Sequence, residues 1–542
     1  AAYLRAMADV LSAASEVEGS RKRQRKLTVA SLPAHVCESL REHTLHFAAC
    51  DGLLIGSEGP FAHAPCSLLP YPFPAPLFEQ ALSLSQPFNT LVERCSRDTD
   101  WLFRVVRSTV GHDGFTRRLL EIAERVTAEG VAQRLQLSIN RSDYMIDQPT
   151  ANATPRILQV ELNTISVSFP SLSAKMCELH RHSVKRLALE LAGSPSRAEV
   201  VRDRRALDTA LTAASGASAA ELERSLPPNQ SVREVAAALA EAHKAYCSAH
   251  AVSKGAVEPP VVVLMVIAPK ERNVIDQRGI EEQLWRAHGV PMLRLSHEEI
   301  HERATLASDG TRRLQIAAAG AGAGEAEISV VYLRAGYAPT DYPDETDWAA
   351  RELFERSLAI KCPSVHQQLA GTKKVQQVLA QPGELERFVA GAQATALRAS
   401  FANLYGLDVD GGTAVDDIVR KAIASPGGFV LKPQREGGGN NLYGEELAEA
   451  LRSMDAAERA SYILMERIVP PSHPMPLMRD GLLDGGGATC ELGVYGVILS
   501  DGERELANRT AGHLLRVKLD GVDEGGVCAG FAVLSSPLLA AP

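Results

Sequence analysis

The spacing of apolar positions divides this chain into stretches of different period. From Leu119 to Val126 the apolar residues Leu119, Leu120, Ile122, Ala123 and Val126 recur at three- and four-residue intervals with charges between them. That spacing predicts an amphipathic helix. Ile157 to Leu162 reads as a short apolar strand, and Ala174 to Ala192 is helical again. The run Val261-Val-Val-Leu-Met-Val-Ile267 is apolar at every position and mostly β-branched. Such a run suits a strand covered on both faces, as in a parallel sheet. A helix over Ile280 to His288, a strand over Val290 to Leu295 and a buried strand over Ile328 to Leu333 follow. This alternation marks an inserted α/β unit on a parallel sheet, bounded here at 258–370, between flanking parts 1–257 and 371–542.

Beyond Lys373 the pattern becomes α+β, with strands expected at Phe429 to Leu431, Tyr462 to Met465, Glu491 to Leu499 and Leu514 to Lys518. The stretch Gly193 to Ser231, rich in Ala, Ser, Arg and Pro, reads as an insertion (about 194–231) of a helix with loops. Gly320-Ala-Gly-Ala-Gly324 lacks the G-x-G-x-x-G spacing and precedes a strand, so it reads as a flexible loop and not a dinucleotide site.

Composition narrows the function classes. The chain has 542 residues, 45% hydrophobic, which is ample for several domains. A net charge of -9 gives no sign of a nucleic-acid partner, and the basic run Arg21 to Lys26 reads as a solvated helix face. No stretch approaches the roughly 18 apolar residues of a membrane span. Nine cysteines, an odd number without a C-x-x-C pair, argue against a disulfide framework or a zinc site. They fit a reducing compartment, and the expectation is cytosolic.

Three segments carry chemistry. In Leu158-Gln-Val-Glu-Leu-Asn-Thr164, Glu161 and Asn163 share one strand face, and two oxygen donors there suit a hard cation such as magnesium. In Phe429-Val-Leu-Lys-Pro-Gln-Arg-Glu-Gly-Gly-Gly-Asn-Asn441-Leu-Tyr443 a short strand delivers Lys432 to a glycine-rich loop whose N–H groups can cradle phosphate, with Glu436 placed to hold a metal. It is not a Walker loop. In Leu514-Leu-Arg-Val-Lys518, Arg516 and Lys518 share a face and need an anion between them. The glycine-rich Gly525 to Gly530 follows, placed to close over a small ligand. Glu271, Arg272 and Asn273 follow the long buried strand, in the kind of loop where α/β sheets bind ligands.

Six motifs occur together in order: Asn140-Arg-Ser-Asp-Tyr-Met145, Glu161-Leu-Asn-Thr-Ile-Ser166, Lys270-Glu-Arg-Asn273, Leu369-Ala-Gly-Thr-Lys-Lys374, Lys432 through Asn441, and Gly512-His-Leu-Leu-Arg516. This set resembles the eukaryotic glutathione synthetases from roughly 70 to 542, and only weakly over the first sixty residues. The resemblance implies an ATP-grasp fold with the α/β unit as an inserted substrate-binding subdomain, and a cytosolic homodimer. It implies ATP-dependent ligation of glycine to γ-glutamylcysteine through an acyl phosphate.

Carried over by motif, Glu161, Asn163 and Glu436 would hold magnesium. ATP would meet Glu161, Lys373, Lys432, Glu436, Gly437, Gly438, Gly439, Asn440, Asn441, Tyr443, Met465, Glu466, Arg467, Ile468, Glu491, Lys518 and Glu524. The run from Met465 to Ile468 would read adenine through its backbone. The dipeptide would lie among Arg141, Ser166, Val167, Ser168, Glu271, Arg272, Asn273, Gln277, Arg334 and Tyr337, with Arg516, Val527 and Cys528 toward its carboxylate and glycine. Arg141 and Arg516 are both candidates to stabilise the tetrahedral oxyanion. Ala335, Glu524 and Cys528 depart from the residues common at their positions (Asp, Asp and Ala). Two other readings stay open: β-alanine as acceptor, decided by room at the Cys528 loop, and a non-catalytic ATP-binding protein.

Overall fold

The structure, a computed structural model, describes residues 34–540 except 58, 112, 194–224, 251–259, 318–323 and 435–439. Most of the insertion, the Arg21 to Lys26 run, most of the glycine segment near 320, and Glu436 with Gly437, Gly438 and Gly439 therefore lie outside the described residues. The fold is mixed α/β, with several sheets packed by helices.

The sheet that carries the polar motifs has seven strands. They run in the order His473–Arg479, Cys66–Ser67, Val533–Ser535, Glu505–Leu519, Leu482–Ser500, Gln136–Asp147, Arg156–Asn163. Its spine is the long antiparallel hairpin Leu482–Ser500 and Glu505–Leu519. The Asp501-Gly502 pair turns it: Asp501 Oδ1 accepts from the N–H of Glu503 (3.0 Å) and Arg504 (2.8 Å), and Gly502 sits at φ +91°. The sequence reading caught only the C-terminal parts of these two strands, Glu491 to Leu499 and Leu514 to Lys518. Leu492, Val494, Leu515 and Val517 pack into a core with Phe88, Leu91 and Trp101 of the helices Ala75–Arg97 and Thr99–Arg107. That packing turns Glu491, Arg516 and Lys518 to the other face.

The expected parallel unit is a six-stranded sheet. Met292–Leu295, Val261–Val266, Glu325–Leu333 and Ile360–Cys362 are parallel, extended by antiparallel Leu314–Ala317 and Ala304–Leu306. The antiparallel edge was not legible in the pattern. Val263 and Met265 face Leu239 and Tyr246 of the helix Ser231–Ala249, while Val262, Leu264 and Val266 face Ile300 and Phe354. Cover on both faces is why that run is continuously apolar. A third sheet, Leu404–Gly406, Tyr462–Glu466, Phe429–Pro433 and Leu442–Tyr443, is backed by the helices Gly412–Ala424 and Gly444–Ser453 through Val419, Leu447 and Leu451.

Buried histidines make stability depend on pH. Burial holds His180 and His366 down to about 4, and His297 and His513 to about 3, from an ordinary 6.5. The unfolded chain therefore binds more protons between pH 6.5 and about 4. Stability is complete above 6.5 and falls as the pH drops through that window. The slope approaches about 1.4 kcal/mol per pH unit for each histidine. Urea denaturation at pH 7 and pH 5 should show the loss, and equal stabilities would contradict it.

Candidate functional site

Strand register assembles the site. Arg516 lies opposite Glu491, Lys518 opposite Thr489, Gly493 opposite Asp143, Asp143 opposite Glu161, and Arg141 opposite Asn163. Cross-strand partners share a face, so four adjacent strands present one polar floor. Asp143 is its centre, fully buried. Its carboxylate accepts from Arg141 Nε (2.7 Å) and Nη2 (2.8 Å), from Arg516 Nη2 (3.0 Å) and from Asn163 Nδ2 (3.0 Å). Arg516 Nη2 also donates to Glu491, and Asn163 Nδ2 to Glu161 Oε1 at 3.2 Å. The anion that a shared Arg516–Lys518 face requires is thus supplied by the protein itself.

The third sheet closes over this floor. Lys432 is buried and donates to the carbonyl of Val160 at 2.9 Å. Lys373 is buried at the start of the helix Lys373–Leu379. A single cleft is lined by Glu161, Lys373, Lys432, Asn441, Tyr443, Met465, Glu466, Arg467, Ile468, Glu491, Arg516, Lys518 and Glu524. Met465 and Ile468 pack in one small core with Met145 and Val160, giving an apolar wall beside the cations. The Arg467 N–H is spent on Gly428 O (2.9 Å), whereas Ile468 N–H makes no hydrogen bond among the described residues. Glu466 is held within the third sheet by Asn403 (2.7 Å) and Tyr405 (2.9 Å). The two sides meet where Glu524 accepts from Asn441 Nδ2 (3.2 Å) and Tyr443 Oη (3.4 Å), and where Arg467 pairs with Asp523 (2.5 Å). Asn440 is not among the lining residues.

Burial alone would push the Glu161 carboxyl up. Lys373 and Lys432, then Arg516 and Arg141, overcome it and hold the carboxyl at about 2. Burial pushes the Lys432 and Lys518 ammoniums down, against the pull of nearby carboxylates. Buried lysines whose charge is disfavoured in this way are set to receive a polyanion. Glu161 Oε2 and Asn163 Oδ1 make no hydrogen bond among the described residues. An ionised carboxylate oxygen beside an uncommitted amide oxygen is a donor set that fits magnesium.

A second cluster adjoins the floor. The Tyr495 hydroxyl, opposite Arg141 in register, donates to Ser168 O at 2.6 Å. Ser166 and Phe169 have φ of 51° and 74°. That strained turn is held by Asp276, whose carboxylate accepts from the N–H of Phe169 (2.9 Å), Ser171 (2.8 Å) and Leu172 (3.1 Å). Arg334 donates to the carbonyl of Val167 and to Ser168 Oγ (3.2 Å). Glu271 accepts from Asn273 N (2.6 Å) and Gln277 Nε2 (3.3 Å). Arg272 Nη1 donates to Cys528 O at 3.0 Å, tying the glycine-rich loop to this cluster. Glu271–Asn273 follow the carboxyl end of a parallel strand, as the sequence led us to expect, and Arg334–Tyr337 follow that of its neighbour. The Val527 side chain packs into the main core, 2% exposed. Gly525 and Gly526 line the cleft and Cys528 reaches the second cluster, so one short loop touches both.

Sequence reasoning gave no role to Asp143, Asp276, Gln434 or Asp523. Asp143 had a signal, since it alternates with Arg141 on a strand. Gln434 Oε1 accepts from Lys374 N at 2.9 Å, a contact across sixty residues of chain that no local pattern announces.

A family model described as the eukaryotic glutathione synthase ATP-binding domain matches residues 34–539. The chain belongs to the eukaryotic glutathione synthase family. It is 39% identical to the glutathione synthetase of Homo sapiens over 511 residues, covering 92% of this chain and 96% of that one. It is 37% identical to the chloroplastic glutathione synthetase of Solanum lycopersicum, covering 93% and 85%. A glutathione synthetase-like effector of Globodera pallida, solved without ligand, superposes with a TM-score of 0.68 at 22% identity, over 94% of this chain and all of the other. Against this family background, Ala335 is fully buried after its strand and Glu524 spans to Asn441 and Tyr443. Burial raises the Cys528 thiol to about 11, so at neutral pH it is a thiol and not a nucleophilic thiolate.

Proposed function

We propose that this chain is an ATP-dependent ligase that joins glycine to γ-glutamylcysteine, giving glutathione, ADP and phosphate. The observation that carries this reading is the continuous polar floor, which runs from the lysine-lined cleft to the arginines beside the second cluster. We read the third sheet and the seven-stranded sheet as the two halves of an ATP-grasp clasp. The 258–370 unit is the substrate-binding subdomain between 1–257 and 371–542.

In this account Met465 to Ile468 hold the adenine, and Lys373, Lys432 and Lys518 neutralise the triphosphate. Glu161, Asn163 and Glu436 would hold magnesium, which when bound screens the phosphate oxygens and stabilises transferred charge. Ser166, Ser168, Glu271, Asn273, Arg334 and Tyr337 orient the dipeptide so that its cysteinyl carboxylate faces the γ-phosphorus. That carboxylate displaces ADP, and positioning supplies most of the rate. The glycine amine then attacks the acyl phosphate and expels phosphate. Arg516, which lines the cleft, is the cation we assign to the oxyanion. The Gly525–Cys528 loop excludes water from the acyl phosphate.

Positional isotope exchange tests the intermediate. Labelled ATP should scramble its β,γ-bridging oxygen only when γ-glutamylcysteine is present, without glycine. No scrambling with the dipeptide would remove the acyl phosphate from the account. Nine cysteines without disulfides support a reducing, cytoplasmic location, and the family resemblance supports a homodimer. No described helix is long and apolar enough to cross a membrane.

A further inference from the structure

We propose that Asp143 is a positioning residue for the ligation: a single buried carboxylate that fixes Arg141, Arg516 and Asn163 relative to one another. The inference rests on the proposed function, because it concerns how that site is held ready. Two guanidiniums bonded to the same carboxylate repel each other, and the shared anion offsets that repulsion. Asp143 takes the Nε and Nη2 edge of Arg141 in a two-bond clasp and leaves Nη1 uncommitted among the described residues. It takes only Nη2 of Arg516, whose Nε and Nη1 are likewise uncommitted among the described residues. The carboxylate therefore holds both cations by one side of each and leaves the other side available to a ligand. Its fourth contact, from Asn163 Nδ2, leaves the amide oxygen available beside Glu161.

The backbone opposite is shaped for this carboxylate. Gly493 faces Asp143 across the strands, and a Cβ there would stand 2.7 Å from Asp143 Oδ1 and 2.8 Å from Arg141 Cδ. The absent side chain is what lets the pair lie flat on the sheet. Arg516 has a second anion in Glu491, but Arg141 has no other carboxylate within ion-pair distance among the described residues. Loss of Asp143 should therefore release Arg141 completely and let Arg516 swing to Glu491.

The test uses D143N and G493A in the full chain, with wild type alongside. D143N keeps shape and removes the charge, whereas G493A keeps every charge and displaces the pair. Both should lower kcat/KM for γ-glutamylcysteine, D143N by about 100-fold and G493A by about tenfold, the scale of losing a preorganised donor. The dissociation constant for ATP with magnesium should stay within about threefold, since the lysines that meet the triphosphate are untouched and Asn163 Nδ2 keeps Glu161 Oε1 and, in D143N, an amide oxygen as acceptors. A purely structural role would instead lower Tm and leave KM for the dipeptide unchanged in the folded fraction. If D143N does not fold, G493A decides. Folded variants with wild-type kinetics overturn the inference alone, while a wild type that makes no glutathione overturns the proposed function and the inference with it.

Discussion

Glutamine at position 161 should lower turnover by about 100-fold or more, the loss expected when a preorganised charge at a phosphoryl-transfer site is removed. Glu161 is the carboxylate around which the cleft's cations are arranged. Lys373, Lys432, Arg516 and Arg141 together hold it ionised against burial. The amide of E161Q preserves the acceptor for Asn163 Nδ2 and the side-chain volume, so the change isolates charge. Magnesium dependence gives a second readout. The half-saturating concentration should rise at least about tenfold, as when groups that support a metal are lost. A variant with near-normal turnover and unshifted magnesium dependence would remove Glu161 from the metal site.

The second large effect concerns Lys432, where activity and stability should part. Burial already disfavours its charge, and its one hydrogen bond among the described residues is to the carbonyl of Val160. Replacement by methionine, of similar length, removes a desolvated ammonium and leaves one carbonyl without its donor. These effects on stability oppose each other, so Tm should move by only a few degrees. Catalysis should fall by about 100-fold, with a raised KM for ATP, because the lysine's counter-charge is then missing from the triphosphate. Loss of activity together with collapse of Tm would show instead that Lys432 is a structural strut between the third sheet and the Arg156–Asn163 strand. Lys373 provides the internal comparison, since it is buried in the same cleft on a different element.

Much of this site was legible because strands encode faces by alternation. Glu161 with Asn163, and Arg516 with Lys518, were placed on common faces from spacing alone, and the register confirms both pairings. The continuous apolar run at Val261 to Val266 announced a strand covered on both sides, and two helical layers cover it. What alternation does not carry is which strands become neighbours. Asp143 and Arg516 are 373 residues apart in sequence, and only the sheet order brings them to 3.0 Å. Asp276 was hidden for a related reason. It lies in the first turn of its own helix but caps a turn on another segment, more than a hundred residues earlier. The antiparallel edge of the six-stranded sheet escaped because short half-exposed strands such as Ala304–Leu306 have too few positions to show a period. Val527 shows something else that its motif does not announce: its side chain packs in the main core.

The account stands most directly on one assay: phosphate release from ATP and magnesium by the purified chain with γ-glutamylcysteine, comparing glycine, β-alanine and no acceptor. It predicts release that depends on glycine, with one glutathione formed per phosphate. Release that depends on β-alanine instead, or none from folded protein that binds ATP, would contradict it.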